Sequence, residues 1–201
     1  KHSGFLHLAA ACGDDVAHYL DPDNHSQREV NAAVAAMAGL SGPLPTGLDG
    51  CGAPTFVMPL RALAQAFCRL ANPNDQGPVR TAACRRIVAA AAAAPTLVAG
   101  AGRFCTALLR QWPGACFAKN GAEGVYAVAL SPDPDRRRWP GSLGLAIKID
   151  DGHERGYQPV VVDLLQRLGA LPVELPPALA AFHRLPVWNT QKLQVGTVHA
   201  V

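Results

Sequence analysis

Apolar positions in the first half of the chain recur at helical spacing. Phe5 to Cys12 is an apolar run that stops at Gly13. Ser26 and Glu29 have the spacing of a capping box, and Val30, Val34, Met37 and Leu40 then follow on one face before Gly42-Pro43, which predicts a helix between them. Pro59 can open a further helix, whose Leu60, Leu63, Phe67 and Leu70 form a core-facing stripe. Arg80 to Ala94 is helical on propensity, and Gly102 to Gln111 predicts one more helix, ended by Trp112-Pro113.

The period then changes. Gly124 to Leu130 and Leu143 to Ile149 are β-rich runs joined by a Pro/Asp/Arg loop, which predicts two antiparallel neighbours. Val160 to Leu168 reads as an amphipathic helix closed by Gly169, and Leu193 to Val201 as a last strand. The order predicts an α+β domain, helices packed on an antiparallel sheet. No repeat or linker divides the sequence, so residues 1–201 read as a single domain.

Composition narrows the classes. With 201 residues, 49% of them hydrophobic and 16% charged, the chain can bury a core and is not a disordered tail. The net charge of +3 is dispersed, and the one dense basic run, Arg136 to Arg138, lies in a loop between Pro134 and Pro140. That argues against a nucleic-acid partner, which needs a basic face or stripe. The longest apolar run, Ile87 to Ala94, ends at Pro95, far short of the roughly 20 residues that span a bilayer, so no membrane segment is expected. Six cysteines at wide, irregular spacings without a CxxC pair predict reduced, mostly buried thiols in a cytoplasmic protein.

Three segments can carry chemistry. Gly47-Leu-Asp-Gly-Cys-Gly-Ala-Pro54 holds three glycines, an acid and a thiol; Asp49 and Cys51 can face one site, or the segment is a tight turn around a buried cysteine. Ala118-Lys-Asn-Gly-Ala-Glu-Gly124 sets Lys119 at a strand start beside glycines, able to hold an oxyanion or to point into solvent. Lys1-His-Ser-Gly4 puts an amine, an imidazole and a hydroxyl at a helix start, where free N–H groups gather, or it is a frayed end. Cys12-Gly-Asp-Asp15 reads as a helix stop with solvated acids rather than a metal loop, and Asp150 to Glu154 as helix capping. His7, His18, His183 and His199 are isolated and have no assigned role.

Taken in order, Lys-His-Ser-Gly-Phe at 1–5, Leu-Asp-Gly-Cys-Gly-Ala-Pro-Thr-Phe at 48–56, Val-Ala-Gly-Ala-Gly-Arg-Phe at 98–104, Ala-Lys-Asn-Gly-Ala-Glu-Gly-Val-Tyr at 118–126 and Ala-Ile-Lys-Ile-Asp-Asp-Gly at 146–152 resemble the rhizobial-type, class 3 L-asparaginases. The resemblance implies a serine β-lactamase/glutaminase-like fold and hydrolysis of L-asparagine to L-aspartate and ammonia by a serine nucleophile with a lysine base, in a Ser-x-x-Lys pair. That pair belongs to the family's N-terminal part, so the chain is expected to be the C-terminal portion of such an enzyme, incomplete at its start and inactive alone. Lys119 matches the family's second active-site lysine and is the expected catalytic residue. His2, Asp49, Asn120 and Gly121 are the expected substrate contacts.

The resemblance also implies a zinc site of two cysteines and a lysine. Lys1 and Cys51 match two of its ligands, and the first cysteine would fall three residues before Lys1. A homodimer is implied in the same way. Two other readings stay open: a glutaminase-like amidohydrolase, and a non-catalytic module that binds zinc or a small molecule.

Overall fold

The structure is a computed structural model in which residues 1–133, 139 and 141–201 are described. The basic run Arg136 to Arg138 and its flanking prolines lie outside the described residues. The chain forms two compact units, Lys1–Ala66 and Phe67–Val201.

In the first unit, helix α1 (His2–Cys12) takes up the N-terminal apolar run and ends at Gly13, whose φ of 76° is the left-handed turn that a glycine adopts without strain. The turn aims two acids at the next elements. Asp15 accepts the Ala17 N–H at 2.9 Å and opens a 3₁₀ turn, Val16–His18. Asp14 accepts the Ser26 N–H at 2.7 Å in the first turn of α2 (His25–Ala38). This corrects the capping box expected from Ser26 and Glu29. The N-cap is Asn24 without a side-chain bond, Ser26 is inside the helix, and a carboxylate twelve residues upstream satisfies its N–H.

Helix α2 also stops earlier than Gly42-Pro43, at Gly39 with φ 69°. The chain is then tied back to it through Asn31, which accepts the Leu44 N–H at 2.7 Å and donates to the Leu44 carbonyl at 3.0 Å. From there the hairpin β1 (Thr46–Leu48) and β2 (Pro54–Phe56) runs antiparallel, with Leu48 opposite Pro54. Pro59 is followed by α3 (Leu60–Ala71), within which the two units divide.

The second unit opens with α4 (Pro78–Ala93), α5 (Pro95–Ala99) and α6 (Phe104–Gln111). A three-stranded antiparallel sheet follows in the order β3 (Cys116–Asn120), β4 (Val125–Leu130), β5 (Leu143–Lys148). Helix α7 (Glu154–Arg167) begins six residues before the expected Val160, because His153 caps it: Nδ1 accepts the Arg155 N–H at 3.1 Å. A short α8 (Pro177–Ala180) precedes a separate antiparallel hairpin, β6 (Leu185–Trp188) and β7 (Gln194–Val198). The architecture is α+β.

Alternation in β4 builds this core. Tyr126, Val128 and Leu130 point toward Phe104 and Leu108 of α6 and Tyr157, Val161 and Leu165 of α7, all buried. Each such aliphatic side chain contributes about 2 kcal/mol by leaving water. The other face of β4 carries the small, buried Ala127 and Ala129, and on that side Phe117 of β3 meets Phe67 with ring centres 6.0 Å apart. All six cysteines are free, Cys84, Cys105 and Cys116 buried and Cys51 exposed. Among the described residues no helix is long and apolar enough to cross a membrane.

Candidate functional site

Two segments of the first unit meet at the start of α1. The Asp49 turn closes the β1–β2 hairpin: the Asp49 N–H donates to the Ala53 carbonyl at 3.0 Å, and Asp49 Oδ1 accepts the N–H groups of Cys51 and Ala53, both at 3.0 Å. The turn fixes the carboxylate and sets the Cys51 thiol beside it, Sγ donating to Oδ1 at 2.9 Å. Lys1 donates its ammonium proton to Asp49 Oδ2. His2 reaches Cys51 Sγ with Nε2 at 2.9 Å and the Tyr19 hydroxyl with Nδ1 at 2.8 Å.

The directions of these bonds follow from one another. Since the thiol proton is directed at Asp49, the sulfur accepts from His2 Nε2–H, and Nδ1 accepts from the Tyr19 hydroxyl. The result is a relay from Tyr19 through His2 and Cys51 to Asp49, with Lys1 on the second carboxylate oxygen. Asp49 is held well below the usual carboxylate range, chiefly by the bond from Cys51 and then by that from Lys1. Lys1 is raised in turn, mainly by its bond to Asp49. The group is open to solvent: the side chains of Lys1 and Asp49 are 43% and 27% exposed. A groove of about 640 Å³ in the same unit, between α2 and the β1–β2 hairpin, is lined by Gln27, Asn31, Leu44 and Phe56 among others, and by none of Lys1, His2, Tyr19, Asp49 and Cys51.

In the second unit, Lys119 is the penultimate residue of β3 rather than a strand-opening residue. The strand, Cys-Phe-Ala-Lys-Asn, is short and half polar and carries no period-2 apolar signal. Lys119 Nζ donates to the Asn120 carbonyl at 2.8 Å and to Asn120 Oδ1 at 2.9 Å. Gly121 uses its N–H in the hairpin, bonding to the Val125 carbonyl at 2.8 Å. Behind Asn120 the Cys105 thiol points at Oδ1 from 3.6 Å, and the buried Tyr126 hydroxyl donates to Cys105 at 3.3 Å. Burial pushes the Tyr126 phenol far up and, with the Glu154 carboxylate nearby, that of Tyr157 to about 12. Arg103 pairs with Glu154 at 3.0 Å at the mouth of the same small cleft.

The structure thus brings Lys1, His2, Asp49 and Cys51 together in one unit, and Lys119, Asn120 and Gly121 in the other. A family model for L-asparaginase II matches residues 1–200. The chain belongs to the L-asparaginase II family. No curated protein matches it.

For this asparaginase-family chain the donor set near Cys51 bears on zinc. A thiolate and an imidazole are suitable donors, but here the thiol proton is engaged by Asp49, and Lys1 is an ammonium without the lone pair a ligand needs. Among the described residues no group of three or more His, Cys, Asp or Glu is arranged to hold a metal. These residues alone do not make a four-coordinate zinc site.

Sequence reasoning missed Tyr19 beside His2, and Cys105, Tyr126, Tyr157 and Glu154 behind the asparaginase Lys119. Only the three-dimensional contacts relate them to the candidates. The sole linear hint was that Arg103 and Tyr126 fall inside the stretches that carry the resemblance.

Proposed function

We propose that this chain supplies part of the active centre of an asparaginase that hydrolyses L-asparagine to L-aspartate and ammonia. The observation that carries the reading is the convergence of Lys1, His2, Asp49 and Cys51 from segments nearly fifty residues apart. An ammonium and a carboxylate side by side on an exposed surface match the α-carboxylate and α-ammonium of an amino acid, with His2 as a further contact. Lys119 is proposed as a catalytic residue that balances charge developing around the nucleophile, with Asn120 and Gly121 as substrate contacts.

No Ser-x-x-Lys spacing occurs in the 201 residues. On this reading the nucleophile lies upstream of Lys1. Its serine oxygen attacks the side-chain amide carbon while the paired lysine takes the proton, the lysine passes that proton to the amide nitrogen, which departs as ammonia, and water then cleaves the ester to release aspartate and restore the serine. The proposed fold of the complete enzyme is serine β-lactamase/glutaminase-like, and its proposed setting is a cytoplasmic homodimer. Zinc at Lys1 and Cys51 is proposed to need a further thiolate from upstream.

The test is ammonia release from L-asparagine, with L-glutamine in parallel, by the 201-residue chain and by a protein extended upstream to include the Ser-x-x-Lys pair. Activity in the extended protein alone supports the reading. Activity in the short chain overturns the upstream nucleophile. A faster reaction with glutamine favours a glutaminase-like enzyme, and silence in both proteins favours a binding module.

A further inference from the structure

The side-chain and main-chain oxygens of a single residue, Asn120, receive the Lys119 ammonium, at 2.9 and 2.8 Å. A carboxamide is nearly symmetric in shape, and its oxygen faces a given neighbour only if something selects that rotamer. At Asn120 a second donor does so: the Cys105 thiol, 3% exposed, points at the same Oδ1 from inside the core. The sulfur is itself held, accepting from the fully buried Tyr126 hydroxyl. The Tyr126 ring is stacked on Tyr157 at 4.7 Å and tilted against Phe104 at 5.2 Å. A rigid aromatic cluster therefore ends in one thiol, and the thiol ends on the acceptor of an exposed lysine.

We propose that Cys105 is a positioning residue for Lys119, acting through the Asn120 carboxamide. With the thiol present, the amide oxygen is turned toward the lysine and the ammonium is fixed at the end of β3. Without it, the amide can present its NH₂ end, which repels the ammonium, and Lys119 moves freely. The inference rests on the reading of Lys119 as a catalytic-site lysine for its consequence in catalysis, but the coupling itself can be measured apart from activity.

The measurement is ¹³C relaxation of the lysine ε-methylene groups in the 201-residue chain, which has four lysines, Lys1, Lys119, Lys148 and Lys192. Lys119→Arg assigns the signal. Cys105→Ala is expected to raise Lys119 mobility to that of the exposed Lys192, whereas Cys105→Ser, which keeps a donor, retains the order of the wild type. Asn120→Ala, at a half-buried position, gives the same loss without touching the core, and adding Cys105→Ala to it changes Lys119 no further. In the upstream-extended asparaginase, Cys105→Ala lowers kcat about fivefold with KM unchanged, the value of one net hydrogen bond.

Unchanged Lys119 order in a folded Cys105→Ala chain, or in Asn120→Ala, overturns the proposal, as does a serine variant as mobile as the alanine one. Full activity of Lys119→Ala in the extended enzyme would instead sink the catalytic reading of Lys119 and leave the coupling intact.

Discussion

His2 Nε2 lies 2.9 Å from the sulfur of Cys51, forty-nine residues further along the chain. The contact exists because two local devices coincide: α1 begins at His2, and the Asp49 turn holds the following thiol in place. The thiol is exposed yet hydrogen-bonded on both sides.

Its exposure predicts its reactivity. Limiting iodoacetamide should label Cys51 well before Cys84, Cys105 and Cys116, which are shielded from reagent. Peptide mapping after short exposure checks this. Equal labelling of the buried three would mean that the second unit opens readily.

The ion pair at the same place predicts a pH dependence. Asp49 is depressed in the folded state, so its contribution is complete above the unfolded carboxylate value of about 4 and disappears as pH falls through the lower folded value. Lys1 is raised, so its contribution is complete below about 10.4 and is lost as pH rises through the higher folded value. The unfolding midpoints of wild type and Asp49→Asn should therefore differ by a constant amount from about pH 5 to 9, begin to approach each other below about pH 4 and meet only as pH falls through the lower folded value. The difference will be small, because both partners are solvent-screened. A gap that persists undiminished in strong acid would show that Asp49 acts through its turn geometry alone.

Long elements were legible in the sequence and short ones were not. The helices α1 and α6 and the pair β4–β5 follow from apolar runs bounded by Gly or Pro, and α4 follows from helix propensity. The three-residue strands β1 and β2 have no period to detect, β3 mixes Cys, Ala, Lys and Asn, and β6 contains Pro186. Their pairing comes from the turn and the partner strand. The α2 cap was misread because its acceptor, Asp14, is supplied by the preceding loop rather than by the local motif. At the candidate site, Asp49 and Cys51 were visible as acid and thiol in one Gly-rich loop, while Tyr19 and Cys105 carry no local mark.

Leu108 has no exposed surface and lies where α6 meets the sheet. Truncation to alanine leaves a cavity among aromatic and β-strand neighbours that cannot collapse easily, so Leu108→Ala should cost about 3 kcal/mol in urea unfolding. A cost under about 1 kcal/mol would indicate a loosely packed second unit.

The last prediction concerns Gly124, which immediately precedes β4 in the turn after Lys119. Its φ is +69°, and a Cβ there would sit 2.9 Å from both the Ile149 carbonyl oxygen and the Ile149 Cβ. The backbone is close because the Gly124 carbonyl accepts the Ile149 N–H at 3.1 Å, which anchors the end of β5 against the start of β4. Gly114 provides the control, with φ +75° and nothing within 4 Å of an added Cβ. Gly114→Ala should cost only the left-handed conformation, about 1 kcal/mol. Gly124→Ala meets the same conformational cost and must in addition push Ile149 backbone away, so it should cost clearly more and shift the β4–β5 amide resonances. If the two substitutions cost the same, the close approach at Ile149 relaxes freely, and the glycine at 124 is required by its dihedral angle alone.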